Sequence, residues 1–190
     1  MTETTTLRRA IIIHGYLATP RDHWFPWLAE QLAATGAHVR IPELPAPDSP
    51  DPVGWQRAVG ECLGTPDGGT AVIAHSLGGL AILRHLATLR GPWELGALVL
   101  VAPFAEPLPS LPELDAHIGD GAAVEGIERH LGRLLVIRSD ADELVLPCQT
   151  DRLARRLGTE PVVVPDAGHF LGADGVTELP PVLGFLVDEG

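Results

Sequence analysis

The sequence predicts an α/β protein built on a doubly wound, mainly parallel six-stranded sheet, and three observations carry that prediction. Short apolar runs recur along the chain: AIII (10–13), HVRI (38–41), TAVIA (70–74), ALVLVA (97–102), LLVIR (134–138) and PVVV (161–164). They are nearly continuous in Val, Ile and Leu instead of alternating with polar residues, as in strands buried on both faces. Segments of helical length separate them, so consecutive strands must be joined by crossovers and run parallel, with helices on both faces of the sheet.

The elements follow in order. After the first strand and the loop HGYLATP, residues 23–34 read as a helix, with Asp22 as its cap, Gly36 as its stop and Pro26 in its first turn. The second strand runs into the proline-rich segment PELPAPDSPDP, then a helix over 52–63. The third strand passes into a helix over 76–89. The fourth is followed by PFAEPLPSLPELDAHIGDG (103–121), a surface segment able to form a wall or small lid but too short for a cap domain. In the helix over 147–157, Leu153 and Leu157 share a face and Gly158 ends the run. The last helix is expected over 176–187. Both long loops should emerge at the carboxyl ends of strands, where ligands bind in sheets of this kind.

At 190 residues the chain is long enough for one sizeable core and short for two, which predicts a single domain over 1–190. The formal charge of −12 and isoelectric point near 4.9 argue against nucleic acid and anionic membranes as partners, because no basic face is easily assembled. All the positive charge is arginine; lysine and asparagine are absent. Cys62 and Cys148 make neither a disulfide framework nor a CxxC pair, and both read as small buried residues. The few apolar residues after Arg8 and Arg9 are too short for a signal-peptide core, and no apolar run reaches membrane-spanning length, so a cytoplasmic protein is expected. A protein partner is neither indicated nor excluded.

The junction VIAHSLGGLAILR (72–84) carries the chemistry. A nucleophilic serine at the top of a sheet must sit on a sharp strand-to-helix turn, where side chains two residues away would collide; hence the pattern G-x-S-x-G. Here it reads Ala74-His75-Ser76-Leu77-Gly78, with alanine in the first position and Gly79 expected to let the helix pack closely. The helix start favours negative charge near Ser76, and the Leu77 N–H is placed to meet an oxyanion. The alternative is that Ser76 only caps the helix.

A serine nucleophile needs a base, and the base an orienting acid. His169, in AGHF after the sixth strand, is the candidate base. The loop RSDADELVLP after the fifth strand offers Asp142 as the acid, with Asp140 and Glu143 as alternatives. The second oxyanion donor is expected from the loop after the first strand, at the N–H of Tyr16. His14, Trp24 and Phe104 are candidate pocket residues; His14 is also placed to brace its own loop. Thr19, Asp22, His23 and Trp27 lie in the same region, the tryptophans being equally suited to packing the first helix. His75 should point away from the serine. No His, Cys and carboxylate cluster has metal-ligand spacing, no glycine-rich phosphate loop follows a strand, and no cofactor is expected.

Taken together, HGYLATPRDHWFPWL, IPELPAPDSPD, AHSLGGLAILR, SDADELVLP and DAGHF resemble, in order over residues 11–185, the small α/β-hydrolase-fold serine hydrolases related to retinoblastoma-binding protein 9. The resemblance implies a compact α/β-hydrolase fold without the extra leading strands of larger members. It places the nucleophile on Ser76, the acid on Asp142 and the base on His169. The expected activity is carboxylesterase-like cleavage of a small-molecule acyl substrate. The rivals are a binding module on the same scaffold and an acyltransferase or cofactor-free peroxidase using the same three residues.

Overall fold

The computed structural model describes residues 7–187. Six strands, β1 (Arg9–Ile13), β2 (His38–Arg40), β3 (Thr70–His75), β4 (Leu95–Val101), β5 (Leu131–Ser139) and β6 (Val162–Val164), form one sheet in the order β2-β1-β3-β4-β5-β6. Every adjacent pair is parallel. The helices are α1 (Phe25–Ala34), α2 (Pro52–Leu63), α3 (Leu77–Thr88), α4 (Asp115–Ile118), α5 (Pro147–Arg156) and α6 (Pro180–Val187).

The strands read as continuous apolar runs because they feed two cores. Ile11, Ile13, Val72, Ala74, Leu98, Leu100 and Val136 pack against residues of α2, α3 and α5. Their neighbours Ala10, Ile12, Ala71, Ile73, Val99 and Ile137 pack against α1 and α6 on the other face. Each fully buried Leu, Ile or Val contributes about 1.5–3 kcal/mol relative to exposure. The sheet reverses its winding between β1 and β3, and the crevice above such a reversal is where doubly wound proteins bind ligands.

Four local expectations are corrected. Asp22 does not cap α1: Trp24 occupies that position, and the Asp22 carboxylate accepts the Thr19 N–H at 2.6 Å instead. The final helix starts at Pro180, not near 176. Pro180 and Pro181 suit a first turn that needs no N–H donors, and a residue before proline avoids the helical region. Cys62 is buried, whereas Cys148, in the first turn of α5, is exposed. The segment 103–121 contains α4, which the apolar pattern did not indicate because the helix has only four residues. No helix among the described residues is long and apolar enough to cross a membrane.

Candidate active site

Ser76 joins β3 to α3 with φ 53° and ψ −125°. This strained backbone is held because the Ser76 N–H donates to Val101 O at 2.9 Å, extending the ladder to β4 by one residue. The Ser76 hydroxyl makes no capping bond to α3, so capping does not account for it. Two glycines make the turn possible. A Cβ on Gly78 would lie 2.4 Å from the His14 carbonyl oxygen, and one on Gly15 would lie 3.0 Å from Ser76 Cβ. At Gly79 the same atom would meet ordinary contacts, 3.5 Å from Pro103, so Gly78 and not Gly79 provides the close approach.

The fold brings Ser76, Asp142 and His169 together although they are far apart in sequence. His169 Nε2 lies 2.9 Å from Ser76 Oγ, and His169 Nδ1 lies 2.7 Å from Asp142 Oδ2. All three residues are buried. The other Asp142 oxygen accepts the N–H groups of Leu144 and Val145, each at 2.9 Å. With a carboxylate oxygen as its acceptor, the imidazole carries its proton on Nδ1. Nε2 is then left as the acceptor for the Ser76 hydroxyl. Asp140 is exposed and accepts the Asp166 N–H at 2.9 Å, and Glu143 is exposed, so neither meets the imidazole. The N–H groups of Tyr16 and Leu77 have no hydrogen-bond partner among the described residues. Both belong to segments in contact with Ser76, the first through Gly15.

The three pocket candidates lie elsewhere. Trp24 and Phe104 are each 0 % exposed, the first in the core beneath α1 and the second in the core beneath α3. Rings so completely enclosed present no surface to a substrate. His14 is equally buried: its Nδ1 donates to Gly15 O at 2.9 Å and its Nε2 accepts the Leu44 N–H at 3.0 Å. It braces the loops after β1 and β2 and does not line a pocket. Burial pushes its imidazole below the ordinary value, consistent with a neutral ring that donates at one nitrogen and accepts at the other. Trp27 is half-buried against the α1 core, and His23 accepts the Gly172 N–H at 2.9 Å.

Segment 103–121 is a wall tied down along its length. Thr150 Oγ1 donates to Pro103 O at 2.9 Å, and Gln149 Nε2 to Pro107 O at 3.1 Å. Arg84, from α3, donates to the carbonyls of His117, Ile118 and Gly121 at 2.9, 2.6 and 2.9 Å.

Some organising residues were not singled out by sequence. Ser139 is fully buried, and its hydroxyl oxygen accepts the N–H groups of Ala141 and Ala167, both at 3.1 Å. It therefore joins the loop of Asp142 to the loop of His169. Its sequence signal is faint: a serine at the end of an apolar strand, where valine or isoleucine would be expected.

Comparison with known proteins agrees with the fold. The ydeN gene product of Bacillus subtilis is 35 % identical over 179 residues, 94 % of each chain. Its crystal structure superimposes with a TM-score of 0.89, covering 94 % of this chain and 96 % of that one. An α/β serine hydrolase without a lid from Xanthomonas campestris, at 21 % identity, shares the fold with a TM-score of 0.60, covering 98 % and 82 % of the two chains. Est1E from Butyrivibrio proteoclasticus, at 19 % identity, does so with a TM-score of 0.68 over 97 % and 89 %. The sequence profile of the serine hydrolase family matches residues 10–188, nearly the whole chain, and the chain belongs to that family.

Proposed function

We propose that this hydrolase is a carboxylesterase-like enzyme that cleaves a small acyl ester in the cytoplasm through Ser76, His169 and Asp142, and that its kinship within the family is with the hydrolases related to retinoblastoma-binding protein 9. The observation that carries the reading is the unbroken chain from Asp142 Oδ2 through His169 to Ser76 Oγ, at 2.7 and 2.9 Å. Ser76 Oγ attacks the acyl carbonyl and its proton passes to His169 Nε2. Asp142 holds the imidazole in the required tautomer and stabilises the imidazolium. The N–H groups of Leu77 and Tyr16 receive the developing oxyanion; losing one such donor typically costs about 10²–10³ in rate. Collapse breaks the ester C–O bond, and the leaving alcohol takes the proton from His169. Water then attacks the acyl-enzyme with His169 as base, releasing the acid and restoring Ser76. Half-buried Tyr16 and exposed Leu17, next to Gly15, offer apolar surface suited to a short acyl chain.

A fluorophosphonate probe tests the reading. Labelling of the wild type that disappears in Ser76→Ala and falls sharply in His169→Ala is expected. A folded wild type that stays unlabelled overturns it and favours a ligand-binding role for the scaffold. A panel of p-nitrophenyl esters should show turnover highest for the shortest acyl chains; an absence of ester turnover in a labelled enzyme would move the substrate to another acyl class.

A further inference from the structure

His75 is fully enclosed, yet it is a histidine where an apolar side chain would pack as well. Its ring lies against Trp24 and Phe25, with centroids at 6.2 and 5.8 Å, and 4.9 Å from the ring of His169. Its Nε2 is 2.8 Å from the main-chain carbonyl oxygen of His169, which can only accept, so Nε2 carries the proton. Its Nδ1 has no partner among the described residues and faces Gly15, where a Cβ would approach it to 3.4 Å. The ring is therefore the neutral Nε2–H tautomer. On the other side of the same residue, the His169 N–H donates to Asp174 Oδ2 at 2.8 Å, and that oxygen also accepts the Leu171 N–H at 3.0 Å. Phe170, the next residue, is fully buried with φ 59°, a strained backbone that persists only where its surroundings hold it.

We infer that His75 and Asp174 are positioning residues for the base: they grip the main-chain carbonyl and N–H of His169 from opposite sides and so set where its imidazole stands relative to Ser76. The inference rests on the proposed role of His169. The residue preceding the nucleophile in sequence thereby sets the location of the base, 94 positions from His75 in the chain. No regular structure restrains His169 here, because β6 ends at Val164. A base displaced by an ångström loses rate on the order of 10²-fold.

Hydrolysis of p-nitrophenyl acetate by His75→Leu, His75→Gln, Asp174→Ala and Asp174→Asn tests the inference. Leucine and alanine remove the donor and the acceptor; glutamine and asparagine retain one of each kind. His75→Leu should lower kcat by about 10- to 100-fold with KM within about twofold, and His75→Gln should recover most of the loss. Asp174→Ala should act in the same direction and Asp174→Asn should restore it. Asp174 is exposed, so its variants carry the test should His75→Leu fail to fold. The inference is overturned if His75→Leu and Asp174→Ala keep wild-type kcat, or if the glutamine and asparagine variants lose as much as leucine and alanine. Ser76→Ala run alongside separates the two readings. Full turnover in that variant sinks the serine mechanism itself, whereas an inactive Ser76→Ala with fully active His75 and Asp174 variants sinks only the grip on His169.

Discussion

The two halves of the site are held in place by different physics. Ser76 directly follows the central strand β3, every residue of which is buried, and its position follows from the β-ladder, from α3 packing on the core, and from the space left by Gly15 and Gly78. His169 lies beyond β6, a three-residue edge strand with Val162 and Val163 exposed. Its loop is tethered instead by side-chain hydrogen bonds: from His75 and Asp174 to His169 itself, from Ser139 to Ala167, from Asp140 to Asp166 and from His23 to Gly172. The position of Ser76 is a product of the fold, whereas that of His169 is hung on polar contacts. Damage on the first side should therefore appear as lost stability, and on the second as lost turnover.

The largest effect should come from Gly78→Val. Its Cβ would fall 2.4 Å from the His14 carbonyl, a main-chain atom that cannot step aside. Overpacking of this kind costs about 3 kcal/mol or more. Urea denaturation should show an unfolding free energy lowered by that amount; a variant with the wild-type midpoint would mean that steric fit does not fix the serine side. Ser139→Ala comes next. It leaves the buried N–H of Ala167 and the part-buried N–H of Ala141 without their acceptor, at about 1–3 kcal/mol for the buried group. Here kcat should fall more than stability does; an unchanged kcat with lowered stability would erase the contrast between the two halves.

Acid should produce the smallest and most graded effect. Burial pushes the imidazoles of His14 and His23 below their ordinary value, and that of His75 well below it, so the folded state holds these rings neutral. The unfolded chain binds protons at the ordinary histidine value of about 6.5, which the folded chain resists. Their contribution to stability is thus fully present above about pH 6.5 and is lost as the pH falls below it. The melting temperature should decline between pH 7 and 5. Because His23 must be unprotonated at Nδ1 to accept from Gly172, amide exchange at Gly172 should quicken before exchange in β3 does. Simultaneous loss of protection at both would mean that the loop of His169 is no more loosely held than the sheet.

This division also explains what could be read from sequence. The inner strands β1, β3 and β4 were legible because burial on both faces writes a continuous apolar run, the largely exposed edge strands β2 and β6 only as short β-branched runs, and the strand-to-helix turn at Ser76 because its steric demands fall on adjacent residues. That Asp142, His169 and Ser76 meet could be anticipated from strand-end placement. The tethers could not: His75 and His169, or Ser139 and Ala167, are joined by single hydrogen bonds across the chain, which impose no periodicity. Trp24 and Phe104 show the same limit in reverse. An aromatic residue near a strand end marks apolar surroundings, and only the packing shows that these are interior.

The three bonds from Arg84 couple α3, which begins directly after Ser76, to segment 103–121. Swinging that segment outward would strip a partly buried guanidinium of all three acceptors at once. Segment 103–121 therefore moves with the sheet and α3 as one body and does not behave as a hinged flap.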